Sequence, residues 1–461
     1  MRTCYRMMLC GLAIGLALSA SAYGQRMTPE LKALLARLVS DDAPTRAAAA
    51  VALGDMGKDA APAVPWLIKV LRDMREVFVV ARSRADLADR RRVTIGPGGV
   101  GCRSSVSEQA SIALGKIGDR RAVKPLCALM LDKKRDDRQW LKRVAATKAL
   151  GEIGDAQAVG SLLQAFANPE EYYFIHDEAG DALVKIGAPA VKLLVRVAEQ
   201  GNARVRLEAI SALAKIGRPA VSSLVAMLNR GDPKTTKFIA VALGNTQELE
   251  ALEALITALK SKKASVRGSA MAGLDRFCSM RNVFVQKRDA DDVLAAKIRA
   301  SVRSLQDEAV ETVIAVFEDP RQSIDVRSNA ASVLGFSRDP RVVEPLLKAL
   351  GDRNDKVRCA VLSAICDLAR TASAKSDWFP EVDEAEREKW DENKENLLLV
   401  LREKATEPLI GYLGDSDSHE KSTARYALKY LTGQNFRDYK EWQAWWKKHS
   451  TESVSAPRSG R

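Results

Sequence analysis

Histidine is nearly missing from this chain, with three residues in 461. Metal centres and acid–base sites that work near neutral pH draw on histidine heavily, so its scarcity argues against both. No Gly-x-Ser-x-Gly, His-Glu-x-x-His or Cys-x-x-Cys motif occurs, and the usual signatures of serine hydrolases, zinc peptidases and dithiol chemistry are absent with them. Aromatic residues make up only 5%, so a large interior must be built from Ala, Leu and Val. Of seven cysteines, Cys4 and Cys10 lie at the extreme N-terminus and the other five show no paired spacing, which excludes a disulfide framework. Cys359 and Cys366 fall about 10.5 Å apart along one predicted helix, beyond the roughly 7 Å that a disulfide can bridge. They read as small buried hydrophobes. The apolar run from Met7 to Leu18 is shorter than the roughly twenty residues of a membrane span.

What the chain does have is a motif that returns about every thirty residues: an apolar segment ending in Ala-Leu-Gly or a close variant, often followed by Ile-Gly. It stands at Ala52-Leu53-Gly54, at 113–118, at 149–154 and at Ala242-Leu243-Gly244, with variants at 182–187 and 212–217. Equivalent leucines or isoleucines fall at 53, 114, 150, 183, 213, 243, 274, 334, 365 and 428. Most gaps are about 30 to 36 residues and three are near 60. One period, such as Pro189 to Gly217, contains an apolar helix, a polar turn and a second apolar helix, which is a helical hairpin. Gly118, Gly154, Gly187 and Gly217 sit where a helix ends, and Pro125, Pro189 and Pro219 where the next begins. Ala on the second helices lets neighbouring hairpins approach closely. The expected fold is all-α: an α-solenoid of about ten stacked hairpins in one long body across residues 28–449.

These residues resemble the HEAT-repeat family, particularly its short members known from phycobilin lyases. The resemblance spans about residues 30–433. Its specific marks are Val205-Arg206, Val266-Arg267, Val326-Arg327 and Val357-Arg358 at the start of second helices, with Asp325 or Asp355 just before. It implies that second helices line a concave binding face and that these arginines pair with acids of neighbouring turns as a ladder. His176-Asp177 and His419-Glu420 also resemble the His-Glu pairs of deoxyhypusine hydroxylase, a HEAT-like di-iron enzyme that needs four such pairs. This chain has one true pair, so no metal or other cofactor is expected.

Three long gaps, at about 72–104, 276–304 and 370–396, are expected to be insertions or eroded repeats. The first carries eight basic and four acidic residues, a net of +4, and reads as a basic, mobile arm containing Arg90, Arg91 and Arg92. Its Gly96-Pro97-Gly98-Gly99-Val100-Gly101 fits a Gly-x-Gly-x-x-Gly phosphate loop only formally, because no βαβ unit surrounds it. Within the second, Val293–Ile298 reads as a helix leading into the next repeat. The third has nine acids against four bases over residues 375–395, a net of −5. Tyr439, Trp442, Trp445 and Trp446 share one helical face and are expected to cap the last layer, within a C-terminal cap at 434–449. Residues 450–461 read as a disordered tail.

The first 22 residues read as a cleaved export signal: Arg2 and Arg6, then the apolar run, then Ala20-Ser21-Ala22. That places the protein in the periplasm or cell envelope, with no membrane span after signal removal. Without the signal the formal charge falls from +13 to +11, because two arginines and no acids are lost. Export turns this basic charge away from nucleic acid and towards an anionic envelope polymer. The expected function is a non-catalytic scaffold that holds a protein or peptide partner on the concave face. The alternatives are a phycobilin-lyase-like or metal-dependent enzyme, and an electrostatic binder acting through the basic insertion. Candidate partner contacts are Lys142, His176, Lys237, Arg90, Arg91, Arg92, Trp442 and Trp446.

Overall fold

Each repeat motif does two physical jobs. Its leucine or isoleucine is sealed in the interior: Leu53, Leu114, Leu150, Leu183, Leu213, Leu243, Leu274, Leu334, Ile365 and Leu428 are all buried. The glycine of Ala-Leu-Gly lies inside its helix and lets the next layer come close. A Cβ on Gly151 would stand 2.8 Å from the Ala182 Cα, and one on Gly335 would stand 2.7 Å from the Ala364 Cα. Capping falls to the glycine of Ile-Gly instead; Gly118 and Gly154 take left-handed φ values of 74° and 70°, a region that costs a side chain roughly 1–2 kcal/mol.

The computed structural model describes residues 27–80, 93–96, 99–132, 139–286, 308–337, 339–373, 384–415 and 418–450. Its helices pair into ten hairpins followed by one further helix. They are α1 (Pro29–Leu38) with α2 (Ala43–Asp55), α3 (Val64–Val70) with α4 (Val106–Ile117), and α5 (Val123–Met130) with α6 (Gln139–Ile153). Then come α7 (Val159–Ala167) with α8 (Tyr173–Ile186), α9 (Ala188–Gln200) with α10 (Ala203–Ile216), and α11 (Arg218–Arg230) with α12 (Thr236–Thr246). The rest are α13 (Leu249–Leu259) with α14 (Ala264–Gln286), α15 (Glu308–Glu318) with α16 (Ile324–Gly335), α17 (Val343–Lys348) with α18 (Asp355–Ser373), and α19 (Glu384–Asp415) with α20 (Ser418–Thr432). Short 3₁₀ turns lead into α3, α5, α7 and α17. The all-α solenoid expected from the periodicity is what forms.

The chain divides between Ile216 and Gly217 into two compact units of five hairpins each. In the first unit the second helices α2, α4, α6, α8 and α10 form one continuous layer, each packed on the next. In the second unit α12, α14, α16, α18 and α20 do the same. The layers are tight because small residues meet across them. Where Gly and Ala face each other, helix axes can approach to the short end of the roughly 8–10 Å range.

The described part of the first insertion is a correction; residues 81–92 and 97–98 lie outside the described residues. Where the composition suggested a mobile arm, β1 (Glu76–Val80), β2 (Val93–Gly96) and β3 (Gly99–Ser105) form an antiparallel sheet in the order β1-β3-β2. Gly96 pairs with Gly99, so the described glycines of the run, Gly96, Gly99 and Gly101, lie in strands, with no phosphate-binding helix start among them. The sheet is anchored at both ends. Val77 buries against Ala47 and Val106, and the Ser107 amide donates to the Asp73 carbonyl at 2.8 Å. Strand β3 then passes straight into α4, whose first turn Ser105 caps by accepting from the Glu108 amide at 3.2 Å. The insertion thus sits inside one hairpin, between α3 and α4.

Of the other two insertions, residues 276–286 continue α14, residues 370–373 end α18, and residues 384–396 open α19. Val293–Ile298 and the remainder of both insertions lie outside the described residues, as do the export signal and the tail from 451. No helix among the described residues is long and apolar enough to cross a membrane.

The second unit ends on α21 (Tyr439–His449), opened by a capping box in which the Asp438 side chain accepts from the Glu441 amide at 2.9 Å. Trp442 is fully buried on this helix, with Phe436 edge-on at 5.0 Å and Trp445 edge-on at 6.0 Å. Burial of a whole indole against the last hairpin covers apolar surface that would otherwise face water.

Candidate interaction surface

The arginines at the starts of second helices are consumed by the fold. Arg46 hydrogen-bonds the Ser40 carbonyl of its own turn and reaches Asp73 of the next turn at 2.7 Å. Arg143 repeats this with the Met130 carbonyl and Glu171 at 2.8 Å. Arg327 repeats it again with the Phe317 carbonyl and Asp352 at 2.6 Å. Each guanidinium therefore satisfies a turn carbonyl and ties its hairpin to the following one, in the planar, multi-donor way that only arginine permits. Arg206 and Arg267 bond carbonyls of their own turns, Gly201 at 3.1 Å and Ser261 at 2.9 Å.

Arg358 makes the rung with different partners. It donates to the Asp352 carbonyl at 3.0 Å, to Asp355 and to the Tyr412 hydroxyl at 3.3 Å, and pairs with the Glu420 carboxylate at 3.7 Å. Buried Glu420 also accepts from Tyr412 at 2.9 Å and from the Cys359 thiol at 3.5 Å. Burial and the neighbouring Glu420 carboxylate push the Cys359 thiol up, away from the thiolate that nucleophilic chemistry needs. Burial pushes the Cys366 thiol up to about 11. Both cysteines are free and half-buried. Glu420, the acid of the one His-Glu pair, is thus committed to fastening helices together; the His419 side chain lies outside the described residues. Among the described residues no group of three or more His, Cys, Asp or Glu side chains is placed to hold a metal ion.

The sequence-derived contact residues separate. Arg90, Arg91 and Arg92 lie outside the described residues. Lys142 is 6% exposed, its Nζ 3.6 Å from an Asp132 carboxylate oxygen. His176 is buried in α8, stacked on Phe166 at 5.0 Å with its Nε2 2.9 Å from Glu208 of α10. Lys237 is exposed at the start of α12. Trp442 is inside the cap and presents no open face, while Trp446 is half-buried. Lys142, His176 and Trp442 therefore act through packing and pairing, because a partner cannot reach side chains the fold has already covered.

Beside Lys142 and His176 lies a feature that the motif reading passed over. Trp140 at the start of α6 and Tyr172, Tyr173 and Phe174 at the start of α8 form a four-ring cluster. Trp140 is 5.1 Å from Tyr172 and stacks on Phe174 at 5.4 Å; Phe174 is 5.6 Å from both tyrosines. Tyr172 is 44% exposed and Tyr173 59% exposed. The turn beneath is held by the buried Arg143–Glu171 pair, and Glu171 also accepts from the Tyr172 amide at 2.9 Å. The sequence signal was there: three successive rings, in a chain that is 5% aromatic, at the turn before a second helix. Large rings on a firm base, half open to water, are how proteins hold other chains.

Two family models match the chain. The description "HEAT repeats" covers residues 191–275 and 283–366. The description "PBS lyase HEAT-like repeat" covers 45–73, 108–132 and 142–168. No curated protein sequence is a match. Among solved structures, the complex of CpcE and CpcF of phycocyanin lyase from Nostoc sp. PCC7120 is 23% identical, covering 61% of this chain and 96% of that one, with a TM-score of 0.29. A designed armadillo repeat protein in complex with the peptide (KR)4 is 16% identical over 59% of this chain and 99% of that one, TM-score 0.33. Human deoxyhypusine hydroxylase in complex with glycerol is 18% identical over 77% of this chain and 99% of that one, TM-score 0.24.

Proposed function

This chain belongs to the HEAT-repeat family, and from that we propose that it is a non-catalytic scaffold of the cell envelope which holds a protein partner along the starts of its second helices. The cluster of Trp140, Tyr172, Tyr173 and Phe174, with both tyrosines exposed, carries the proposal. Aromatic rings anchored on a rigid turn lose little conformational entropy on binding and bury a large area, which makes them common hot spots.

Crosslinking and mass spectrometry of the protein in its native envelope tests this. A partner should crosslink to peptides within residues 139–177. The double variant Tyr172→Ser with Tyr173→Ser should lose that crosslink while its thermal unfolding stays as in the wild type, because both side chains are exposed. An unchanged crosslink pattern in the double variant would remove the cluster as the docking site. Export is tested separately by fractionation, where a cytoplasmic protein with an intact N-terminus would refute the envelope placement.

A further inference from the structure

The second unit has its own surface, with chemistry opposite to that of the ring cluster. At its first two hairpin turns, residues 228–238 and 258–268 contain seven basic side chains and one acid, a net of +6. The whole chain carries +13, so these two short segments hold almost half of the excess and do not merely share an even coat of solubilising charge. They are neighbours in space, since the Lys263 Nζ donates to the Arg230 carbonyl at 3.1 Å across the two turns. The one acid, Asp232, is occupied by its own turn, accepting from the Lys234 amide at 3.1 Å and the Thr235 hydroxyl at 3.2 Å. Lys234, Lys237, Lys262 and Lys263 are all exposed, and Lys234 and Lys262 have no acidic partner among the described residues.

The helices behind these turns add to the field. Helices α12 and α14 start here, which places their positive dipole ends beside the lysines. Two large apolar side chains also stand out: Phe238 in α12 and Ile324 at the start of α16 are each 46% exposed. Both stand beside the lysines: Phe238 follows Lys237 directly, and the start of α16 packs on the start of α14, where a Cβ on Gly268 would lie 2.9 Å from the Val326 Cγ2. A bare polyanion would gain nothing from an exposed phenyl ring and an isoleucine. A peptide with carboxylates and apolar side chains would use both.

We propose that this edge docks an extended acidic segment of a partner protein, with carboxylates on Lys234, Lys237, Lys262 and Lys263 and apolar side chains on Phe238 and Ile324. The site is independent of the ring cluster of the first unit. Charge complementarity of this kind accelerates encounter and fixes register, and the apolar contacts slow release.

Fluorescence anisotropy with the full chain tests it, using a labelled glutamate-rich peptide carrying two leucines. Its controls are the same peptide with every Glu replaced by Gln, a glutamate-rich peptide without leucine, and polyphosphate. The glutamate–leucine peptide should bind best, with affinity that falls as salt rises. Lys262→Glu with Lys263→Glu should weaken it by about tenfold or more, as expected when two exposed pairs become repulsive. Phe238→Ser should weaken it by about threefold or more while leaving the leucine-free peptide unchanged. The three substituted side chains are exposed, and circular dichroism confirms that the variants are folded. Tyr172→Ser with Tyr173→Ser should bind this peptide as the wild type does, which separates this site from the one under Proposed function. Equal binding of the Gln peptide, no binding of any peptide, or indifference to Lys262→Glu with Lys263→Glu would overturn the proposal. So would tight polyphosphate binding with no effect of Phe238→Ser, which would assign the edge to a polymer.

Discussion

If the glycine of Ala-Leu-Gly is there for close approach, adding one methyl group at Gly151 must push its helix away from the next. A Cβ at that position would meet the Ala182 Cα at 2.8 Å and its Cβ at 2.9 Å. The first of these atoms is backbone, so no rotamer change relieves the clash. Overpacking of this kind costs about 1–3 kcal/mol. Replacing glycine by alanine inside a helix returns about 1 kcal/mol of backbone entropy. With backbone on one side of the clash the upper end of the range applies, and Gly151→Ala should destabilise by a net of about 1–2 kcal/mol. Gly160 is the matched control. It lies on the exposed side of α7, with nothing within 4 Å of an added Cβ, so Gly160→Ala should stabilise by about 0.5–1 kcal/mol. Hydrogen exchange read by mass spectrometry is the right assay, because a chain of two compact units need not unfold in one step. Amides of α6 and α8 should exchange about five to thirty times faster in Gly151→Ala, by the usual tenfold per roughly 1.4 kcal/mol. They should exchange no faster in Gly160→Ala. Slower exchange in Gly151→Ala would show that the layer relaxes freely, and the close-approach account of the motif would fail.

Glu171→Gln should destabilise the first unit by about 3–5 kcal/mol, since it leaves the guanidinium of Arg143, 9% exposed, without its anion. Replacing both residues, as Arg143→Met with Glu171→Leu, should recover most of that loss in a denaturant titration. Glu178 carries the opposite sign. Burial pushes its carboxyl up, with Asp181 and Asp177 adding to the effect of burial and Lys148 and Lys185 opposing it. The folded protein holds that proton more tightly than the unfolded chain, so the charged group costs stability as pH rises through the carboxylate range. Glu178→Gln should therefore raise the melting temperature at pH 7, and the gain should vanish below about pH 4, where the carboxyl is protonated in both states. An equal or lower melting temperature at pH 7 would contradict the sign. Trp442→Ala should cost about 3–5 kcal/mol by emptying the cap, visible as early loss of helix signal from residues 418–450. A neutral result there would mean that the last hairpin needs no cover.

The fold was largely legible because periodicity and packing are the same fact. A leucine that recurs every thirty residues is a leucine on the buried side of every second helix, and each of the ten proved to be so. The arginine ladder was legible in part: of the Val-Arg pairs, Arg327 and Arg358 reach an acid of a later turn, whereas Arg46 and Arg143, which make the same rung, follow Thr and Lys and carry no such signature. The sheet was not. Its segment is rich in arginine and glycine, which suggests a solvated loop, and what orders it is long-range: Val77 against Ala47 and Val106, and the backbone bond from Ser107 to Asp73. The candidate contacts failed for a related reason. Lys142 and His176 look like outliers from the repeat, but their departures are answered by Asp132 and Glu208, whose positions depend on how hairpins stack. Tyr172-Tyr173-Phe174 was visible in the sequence, yet three rings at a turn show whether they are core or surface only when burial is known.

The cross-layer ion pairs also decide what two of the three long gaps are. Ordinary rungs join an arginine to an acid 25 to 28 residues on, as in Arg327–Asp352, Arg46–Asp73 and Arg143–Glu171. Arg358 finds its acid at Glu420, after the whole acidic insertion has passed. Lys116 likewise reaches Asp55 at 2.9 Å although 61 residues separate them. If a repeat had decayed in either interval, a stranded layer would lie between the two partners. Instead α18 packs on α20, and α2 on α4, as any consecutive second helices do. Both intervals are therefore insertions into an unbroken stack, one within a hairpin and one at the head of a lengthened first helix. An insertion that leaves the rung spanning it closed is free to change without unfolding the repeat, and that freedom is what a surface needs in order to acquire a partner.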